Sequence, residues 1–333
     1  MASLGQRVPI FLKRRLGRVP RTWSIGLITG DSLEGLQISE PVLSPGFKPI
    51  RDFALAADPF FIPGDDMLCI YFEGVLGNET KGQIHWAAIT RDEVAYGGRA
   101  IHEPFHMSFP YVFHDEALNC FCMIPESSEM SQIRLYVAEQ ASGPWELHRV
   151  LAEGRPFVDT VAFRRSDSWF LVTESSGGTN DRRELRRAGS LDEEFITIGE
   201  WQIDPSRCRM AGRLVVDGAG ASRQSVHLLT QDCSTTYGRS ISHEQFDVLA
   251  LSRKPDESSD AAPPFGESTA LVHPSVGRWF HSKVHSADLR VGSHGVVGVI
   301  DGKGKSRKMG AAPDGLLKTF VDAATRSVKH QLP

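Results

Sequence analysis

Polar residues capable of chemistry recur at corresponding places in five similar segments: Asp58, Glu73, Glu126, Asp159, Glu174, Arg213, Gln231, Asp232, His285, Asp288 and Asp301. Paired carboxyl groups, one protonated and one ionised, are what glycosidic cleavage requires. An inverting pair stands about 6.5–9.5 Å apart so that water fits between. Crowding several acids together raises one carboxyl pKa through like charge and desolvation. Arg213 and Arg239 would favour ionised neighbours, or grip an anionic group through two parallel hydrogen bonds. Phe105, Tyr111 and Tyr237 offer flat faces for a sugar ring, and His106 and His285 can donate to or accept from hydroxyls. Ordinary structural roles compete with each of these. Tyr111 and Phe105 also suit a core, His106 a loop, and Tyr237-Gly238-Arg239 a turn with a structural arginine; Glu73 and Glu174 suit strand ends paired with nearby bases.

The elements that must position these groups are short strands. Runs rich in Val, Ile, Phe, Tyr and Trp alternate with Gly, Pro, Asp and Ser, and helical periodicity is scarce before the final residues. A paired-strand pattern repeats five times: Asp58–Phe61 with Leu68–Glu73, Pro110–Phe113 with Phe121–Glu126, Asp159–Phe163 with Trp169–Glu174, Gly212–Val216 with Val226–Asp232, and His285–Leu289 with Val296–Asp301. Successive copies start about 50 residues apart, except that the last interval also holds the Pro/Ser/Asp-rich stretch Lys254–Ser268, read as an exposed loop. Such a period suits four-stranded propeller blades. The reading is therefore all-β: a five-bladed β-propeller with four-stranded antiparallel blades. Trp23–Ile28 should supply a strand that closes the ring beside the last blade and hides its sheet edge. In each hairpin the start of the first strand and the end of the second lie at one edge. Asp58, Glu126, Asp159, Arg213 and His285 should consequently face one central mouth.

One segment, His102-Glu103-Pro104-Phe105-His106-Met107-Ser108-Phe109-Pro110-Tyr111-Val112-Phe113, resembles the N-terminal domain of glucosamine inositolphosphorylceramide transferases and their bacterial relatives. Ala57–Phe60, Ile124–Ser127, Gln231–Arg239 and Val284–Asp288 agree in the same order, so the resemblance covers roughly residues 22–302. It implies a propeller related to family 43 glycoside hydrolases. By that resemblance Asp58 matches a general base on the first blade, and Asp159 a residue that positions and tunes. The family's acid, a Glu on the fourth blade, finds no counterpart in Ala211-Gly212-Arg213; Glu126, or failing it Glu103, stands in. The substrate contacts expected around this trio are Glu103, Phe105, His106, Tyr111, Arg213, Gln231, Asp232, Tyr237, Arg239, His285 and Asp288.

Composition narrows the field. A net charge of −4 argues against a nucleic-acid partner, and Lys303, Lys305, Arg307 and Lys308 read as a solvated basic run. No stretch has the ~20 apolar residues of a membrane helix. Five irregularly spaced cysteines indicate thiols rather than a disulfide framework, and so a reducing, cytoplasmic setting. Gly302–Ser306 lacks the first glycine of a phosphate loop, Gly218-Ala219-Gly220 lies in a hairpin, and no Asp-x-Asp occurs; neither cofactor nor metal is expected. Residues 1–21 form a basic lead-in, 22–302 the propeller, and 303–333 a basic tail with a short helix. Two functions stand side by side. One is a hydrolase-like enzyme acting on a glycan or glycoconjugate; the other is a non-catalytic recognition module serving a separate glycosyltransferase. A protein-interaction propeller would show apolar faces instead of a ring of acids.

Overall fold

The computed structural model describes residues 21–64, 67–175, 182–217, 225–247, 263–292, 295–305 and 315–327. Five antiparallel sheets are arranged as a five-bladed β-propeller. The first blade is β3 (Phe53–Pro63), β4 (Leu68–Leu76), β5 (Gln83–Ile89) and β6 (Val94–Ile101), laid out in that order. The second is β7 (Ser108–Asp115), β8 (Cys120–Ser127), β9 (Gln132–Ala138) and β10 (Glu146–Glu153), and the third β11 (Phe157–Arg165), β12 (Ser168–Ser175), β13 (Arg182–Ala188) and β14 (Ile196–Gln202). In the fourth blade the inner strand is split into β15 (Cys208–Met210) and β16 (Val215–Asp217), both paired with β17 (Ser225–Asp232); β18 (Ser240–Phe246) and β19 (Phe265–Val272) complete it.

The fifth blade closes the ring as expected. Its inner pair is β20 (Ala287–Gly292) and β21 (Gly295–Lys305), and the N-terminal strands β1 (Arg21–Gly30) and β2 (Gln37–Leu43) supply the outer two. Arg21 through Gly30 pair without interruption with Lys305 through Val296, so the first and last strands of the propeller hold each other.

Burial follows position in the blade. Second strands lie between neighbouring blades and are covered on both faces, so Leu68-Cys69-Ile70-Tyr71-Phe72 is buried continuously without alternation. Outer strands such as β14 are mostly open to solvent and carry Thr197, Glu200 and Gln202. At the join of the fourth and fifth blades the backbones nearly touch: a Cβ on Gly212 would lie 1.9 Å from the Ala287 carbonyl oxygen, so only glycine fits.

Helix α1 (Leu316–Ser327) buries Leu317, Phe320, Val321 and Ala324 in the same cluster as Ile25, Phe61 and Phe72, and Arg91 ties its Asp322 with a 2.9 Å ion pair. No helix among the described residues is long and apolar enough to cross a membrane. The cysteines are free thiols, Cys69 and Cys122 buried and Cys120, Cys208 and Cys233 half-buried.

Candidate functional site

Two rings of side chains build the mouth. The first comes from a β-bulge repeated near the start of the inner strands, where the pairing register slips between Ala57 and Phe60, Ser108 and Tyr111, Val158 and Val161, and Cys208 and Met210. Each slip places one residue in the left-handed region: Asp58 (φ 51°), Phe109 (φ 45°), Asp159 (φ 47°) and Arg209 (φ 49°). Their separations are 51, 50 and 50 residues. A bulge re-aims the side chain it carries, and holding a non-glycine residue in this region costs on the order of 1–3 kcal/mol. Four repeats of that strain mark the positions as purposeful. His285 fills the fifth place, with Asp301 opposite: the Asp301 N–H donates to the Ser286 carbonyl, and Asp301 Oδ1 accepts from the His285 and Ser286 N–H groups at 3.1 Å each.

The second ring is the set of residues across from those bulges on the second strands. Glu73 pairs with Ala57, Glu126 with Ser108, Glu174 with Val158, and Gln231 with Cys208; Asp301 completes it.

Arg209 organises this assembly. Its Nε donates to Asp159 Oδ2 at 2.6 Å, and Nη2 reaches Asp159 Oδ1 at 3.2 Å and Glu126 Oε2 at 3.0 Å. Its backbone N–H donates to Glu174 Oε2 at 2.7 Å, and its guanidinium lies 5.6 Å from the centre of the Tyr237 ring. Glu174 also accepts from Arg183 Nε at 3.0 Å, which makes it a paired strand-end acid.

On the opposite side, Asp58 Oδ1 lies 3.5 Å from His285 Nε2, and Asp301 Oδ2 lies 2.6 Å from His285 Nδ1. Asp58 Oδ2 accepts from the Phe109 N–H at 3.4 Å, and the Asp58 N–H donates to Asp301 at 2.9 Å. One ligand atom each from Asp58, His285 and Asp301 lie within 4.8 Å of one another, the grouping among the described residues that could hold a cation.

Burial dominates the electrostatics. Asp58 is pushed up to about 7 by desolvation, aided by the Asp301 and Asp159 charges and opposed by His285 and Arg209. Asp159 is pushed up to about 6, again by burial first, with Arg209 pulling the other way. Glu73 is held well above the usual carboxylate range by burial and by Asp58. Burial lowers His285, but the Asp301 and Asp58 carboxylates outweigh it and raise the imidazole to about 9. Burial lowers His106, whose Nδ1 accepts the Gly82 N–H at 2.9 Å. Its proton therefore sits on Nε2, facing Glu73 Oε1 at 3.7 Å.

The raised groups share one sign, opposite to that of His106. Folded Asp58 and Asp159 bind protons more tightly than their ordinary 3.8, so stability falls as pH climbs from there through about 6 to 7. His285 adds a stabilising charge that is complete below 6.5 and lost as pH passes about 9. Thermal melts should therefore show Tm declining from mildly acidic to alkaline pH, and Asp58→Asn should flatten the acidic limb. A Tm that rises over this range would contradict the arrangement.

The structure gathers Asp58, Glu126, Asp159, His285 and, at the rim, His106 and Tyr237. Tyr237 is 42% exposed and meets His285 edge-on at 5.2 Å. Gln231 is buried in the second ring, with Nε2 3.5 Å from the Met210 carbonyl. Asp232 and Arg239 pair at 3.0 Å just outside it.

Other expected residues lie elsewhere. Arg213 was expected to open the fourth inner strand at the mouth, but Arg209 holds that position. Arg213 and Asp288 form a buried pair one tier down, Asp288 being three residues, or ~10 Å of strand, beyond His285. There Arg213 Nη2 donates to Asp288 Oδ2 at 2.9 Å and to the Val112 carbonyl at 3.2 Å. Tyr111 belongs to this lower tier, its hydroxyl donating to the Ala162 carbonyl and its ring 5.6 Å from Phe60. Phe105 is core beneath the Arg134 guanidinium, and Glu103 accepts from the Tyr136 hydroxyl at 2.8 Å. Arg209 was missed. Its signal was numerical: stepping on from Asp58, Phe109 and Asp159 by 50 lands on it.

The family model described as "Glucosamine inositolphosphorylceramide transferase 1, N-terminal" matches residues 36–303. The chain belongs to this family. Among its relatives, the glucosamine inositolphosphorylceramide transferase 1 of Arabidopsis thaliana is 26% identical over 311 residues, which is 84% of this chain and 39% of that protein. The protein of the same name from Oryza sativa subsp. indica is 27% identical over 315 residues, 84% of this chain and 40% of its own. The chain thus spans about two fifths of the length of these relatives. Among solved structures, an exo-β-1,3-galactanase from Phanerochaete chrysosporium, solved with β-1,3-galactotriose, superposes with a TM-score of 0.52 at 10% identity, covering 88% of this chain and 69% of that one. The catalytic domain of a family 62 α-L-arabinofuranosidase from Coprinopsis cinerea gives 0.51 at 12% identity, covering 86% and 99%. At such identities the likeness is one of fold.

Proposed function

We propose that the propeller, residues 22–302, is a glycan-recognition module that serves glycosyl transfer carried out elsewhere, with the two-ringed mouth as its binding site. One observation carries this reading: Arg209 occupies the fourth-blade inner position and grips both Asp159 and Glu126. Hydrolysis of the kind suggested by the resemblance needs a protonated carboxyl opposite an ionised one. A guanidinium cannot donate that proton in proteins, and both Glu126 carboxyl oxygens are already engaged, Oε2 by Arg209 at 3.0 Å and Oε1 by Ser128 Oγ at 2.8 Å. The same groups suit recognition, since ionised pairs around a half-open aromatic ring offer directed donors and acceptors to sugar hydroxyls. The names of the relatives supply the class of partner, a glycosyltransferase acting on a glycoconjugate.

A second reading keeps proton transfer, and Asp58 is what favours it. A carboxyl brought to about 7 is matched to acid–base work near neutrality. Product analysis on a broad glycan panel, run with the wild type and Asp58→Asn, separates the two. Recognition predicts binding without turnover, with affinity changed by no more than about 0.5–1.5 kcal/mol or somewhat beyond if the charge matters. Turnover that Asp58→Asn reduces by roughly 10²–10⁴-fold would instead establish the enzyme and overturn the recognition reading.

A further inference from the structure

We infer that Lys283 and Lys303 form a subsite on the rim of the mouth for an anionic substituent, a phosphate or a carboxylate, carried by the bound sugar. This rests on the reading of the mouth as a glycan site. The two lysines are direct cross-strand partners: the Lys303 N–H donates to the Lys283 carbonyl at 2.8 Å, and the reverse bond is 3.4 Å. Directly opposed residues of an antiparallel pair hold their Cβ atoms about 5 Å apart on one face, where like charges destabilise each other. Among the described residues neither ammonium has a carboxylate partner within ion-pair distance. Lys283 Nζ donates instead to neutral oxygens, Thr236 Oγ1 at 3.0 Å and the Tyr237 carbonyl at 2.6 Å. An uncompensated pair of cations at a fixed register is a feature that an anion would resolve.

Their surroundings tie this pair to the mouth. Lys283 Nζ lies 5.9 Å from the centre of the Tyr237 ring, and Lys303 Nζ 5.8 Å from that of Trp23. Trp23 is itself the cross-strand neighbour of Lys303 on β1. Both rings rest on the same imidazole, Trp23 stacked on His285 at 4.1 Å and Tyr237 edge-on at 5.2 Å. Arg209 also approaches the Tyr237 ring, its guanidinium 5.6 Å from the ring centre. Deeper in the mouth the cations Arg209 and His285 are already engaged by Asp159, Glu126 and Asp301, so an anion would have to compete with carboxylates there. The rim is where a charged group is welcome, while a neutral ring reaches inward past Tyr237. Both lysines are only half-buried, so they remain accessible.

The test uses the full chain and three probes by calorimetric titration: glucose 6-phosphate, glucuronic acid and methyl β-glucoside, with inorganic phosphate as a fourth arm. The anionic sugars should bind at least about tenfold more tightly than the neutral glycoside, and the advantage should shrink as ionic strength rises. The double variant Lys283→Gln/Lys303→Gln should lose that advantage while keeping the neutral sugar's affinity. Its Tm should hold or rise, since a repulsive pair is removed; a purely structural role for the lysines would lower it. Preference for glucose 6-phosphate over glucuronic acid assigns phosphate, and the reverse assigns carboxylate. Equal affinity for charged and neutral sugars, or an advantage that survives in the double variant, overturns the subsite and leaves the glycan reading standing. Lysine-dependent capture of inorganic phosphate without any affinity for the sugars overturns the glycan reading instead. Silence from all four probes overturns both.

Discussion

Replacing Arg209 with methionine is expected to lower the stability of the propeller by about 3–5 kcal/mol, the range seen when one partner of a buried charge set is removed. The guanidinium is 25% exposed, but its partners are nearly covered, with the Asp159 side chain 3% and that of Glu126 7% exposed. Without it two carboxylates face each other unpaired in a low-dielectric mouth that already holds Asp58 and Glu73. Both must then take up protons to stay buried, so the loss should widen as pH rises. Arg209→Glu, which restores the kind of residue the family 43 resemblance calls for at this point, should be worse than methionine at pH 8 and recover part of the difference at pH 5. Urea denaturation of the wild type and both variants at the two pH values measures this directly. A methionine variant as stable as wild type would mean that Arg209 does not hold the mouth together.

The repeat was legible because second strands are sandwiched between blades. Leu68–Phe72 and Trp169–Val172 are continuously apolar, the first followed by Glu73 and the second by Thr173 and Glu174, which is a strong local signal. Asp58 and Asp159 were legible for a related reason, as acids standing just before apolar runs. The fourth blade broke the method. Its visible apolar run, Leu214-Val215-Val216, leads into the lower half of a split inner strand, Val215–Asp217. The mouth residue comes earlier, on the three-residue strand Cys208–Met210, too short to show alternation. A bulge residue in the left-handed region also announces itself through no hydrophobic pattern, so Arg209 could be reached only by counting. Depth along the inner strand was equally hidden. His285 and Asp288 look like one motif in the sequence, yet the first lines the mouth and the second lies a tier below.

That lower tier yields the other large effect, and it is asymmetric. Asp288 is completely buried and accepts from Arg213 as well as from the Phe61 N–H at 3.0 Å. Arg290 is buried close by and donates to the Phe61 carbonyl at 3.1 Å; burial first and then the Arg213 charge hold it below the usual arginine range, with Asp288 opposing them. Arg213→Met leaves Asp288 facing one remaining guanidinium, so the loss should lie at or below the lower end of about 3–5 kcal/mol. Asp288→Leu leaves two buried guanidiniums without the carboxylate that moderates them and strips the Phe61 N–H of its acceptor. Its loss should reach the upper end of that range, about 5 kcal/mol, or exceed it. The double variant Arg213→Met/Asp288→Leu should be more stable than Asp288→Leu alone, because one of the two repelling cations has gone. It should still fall short of wild type by at least the 1–3 kcal/mol of an unsatisfied buried group. Denaturation midpoints for the four proteins form a double-mutant cycle. If Arg213→Met proves more damaging than Asp288→Leu, the carboxylate is not the keystone of the tier, and Arg290 does not share it.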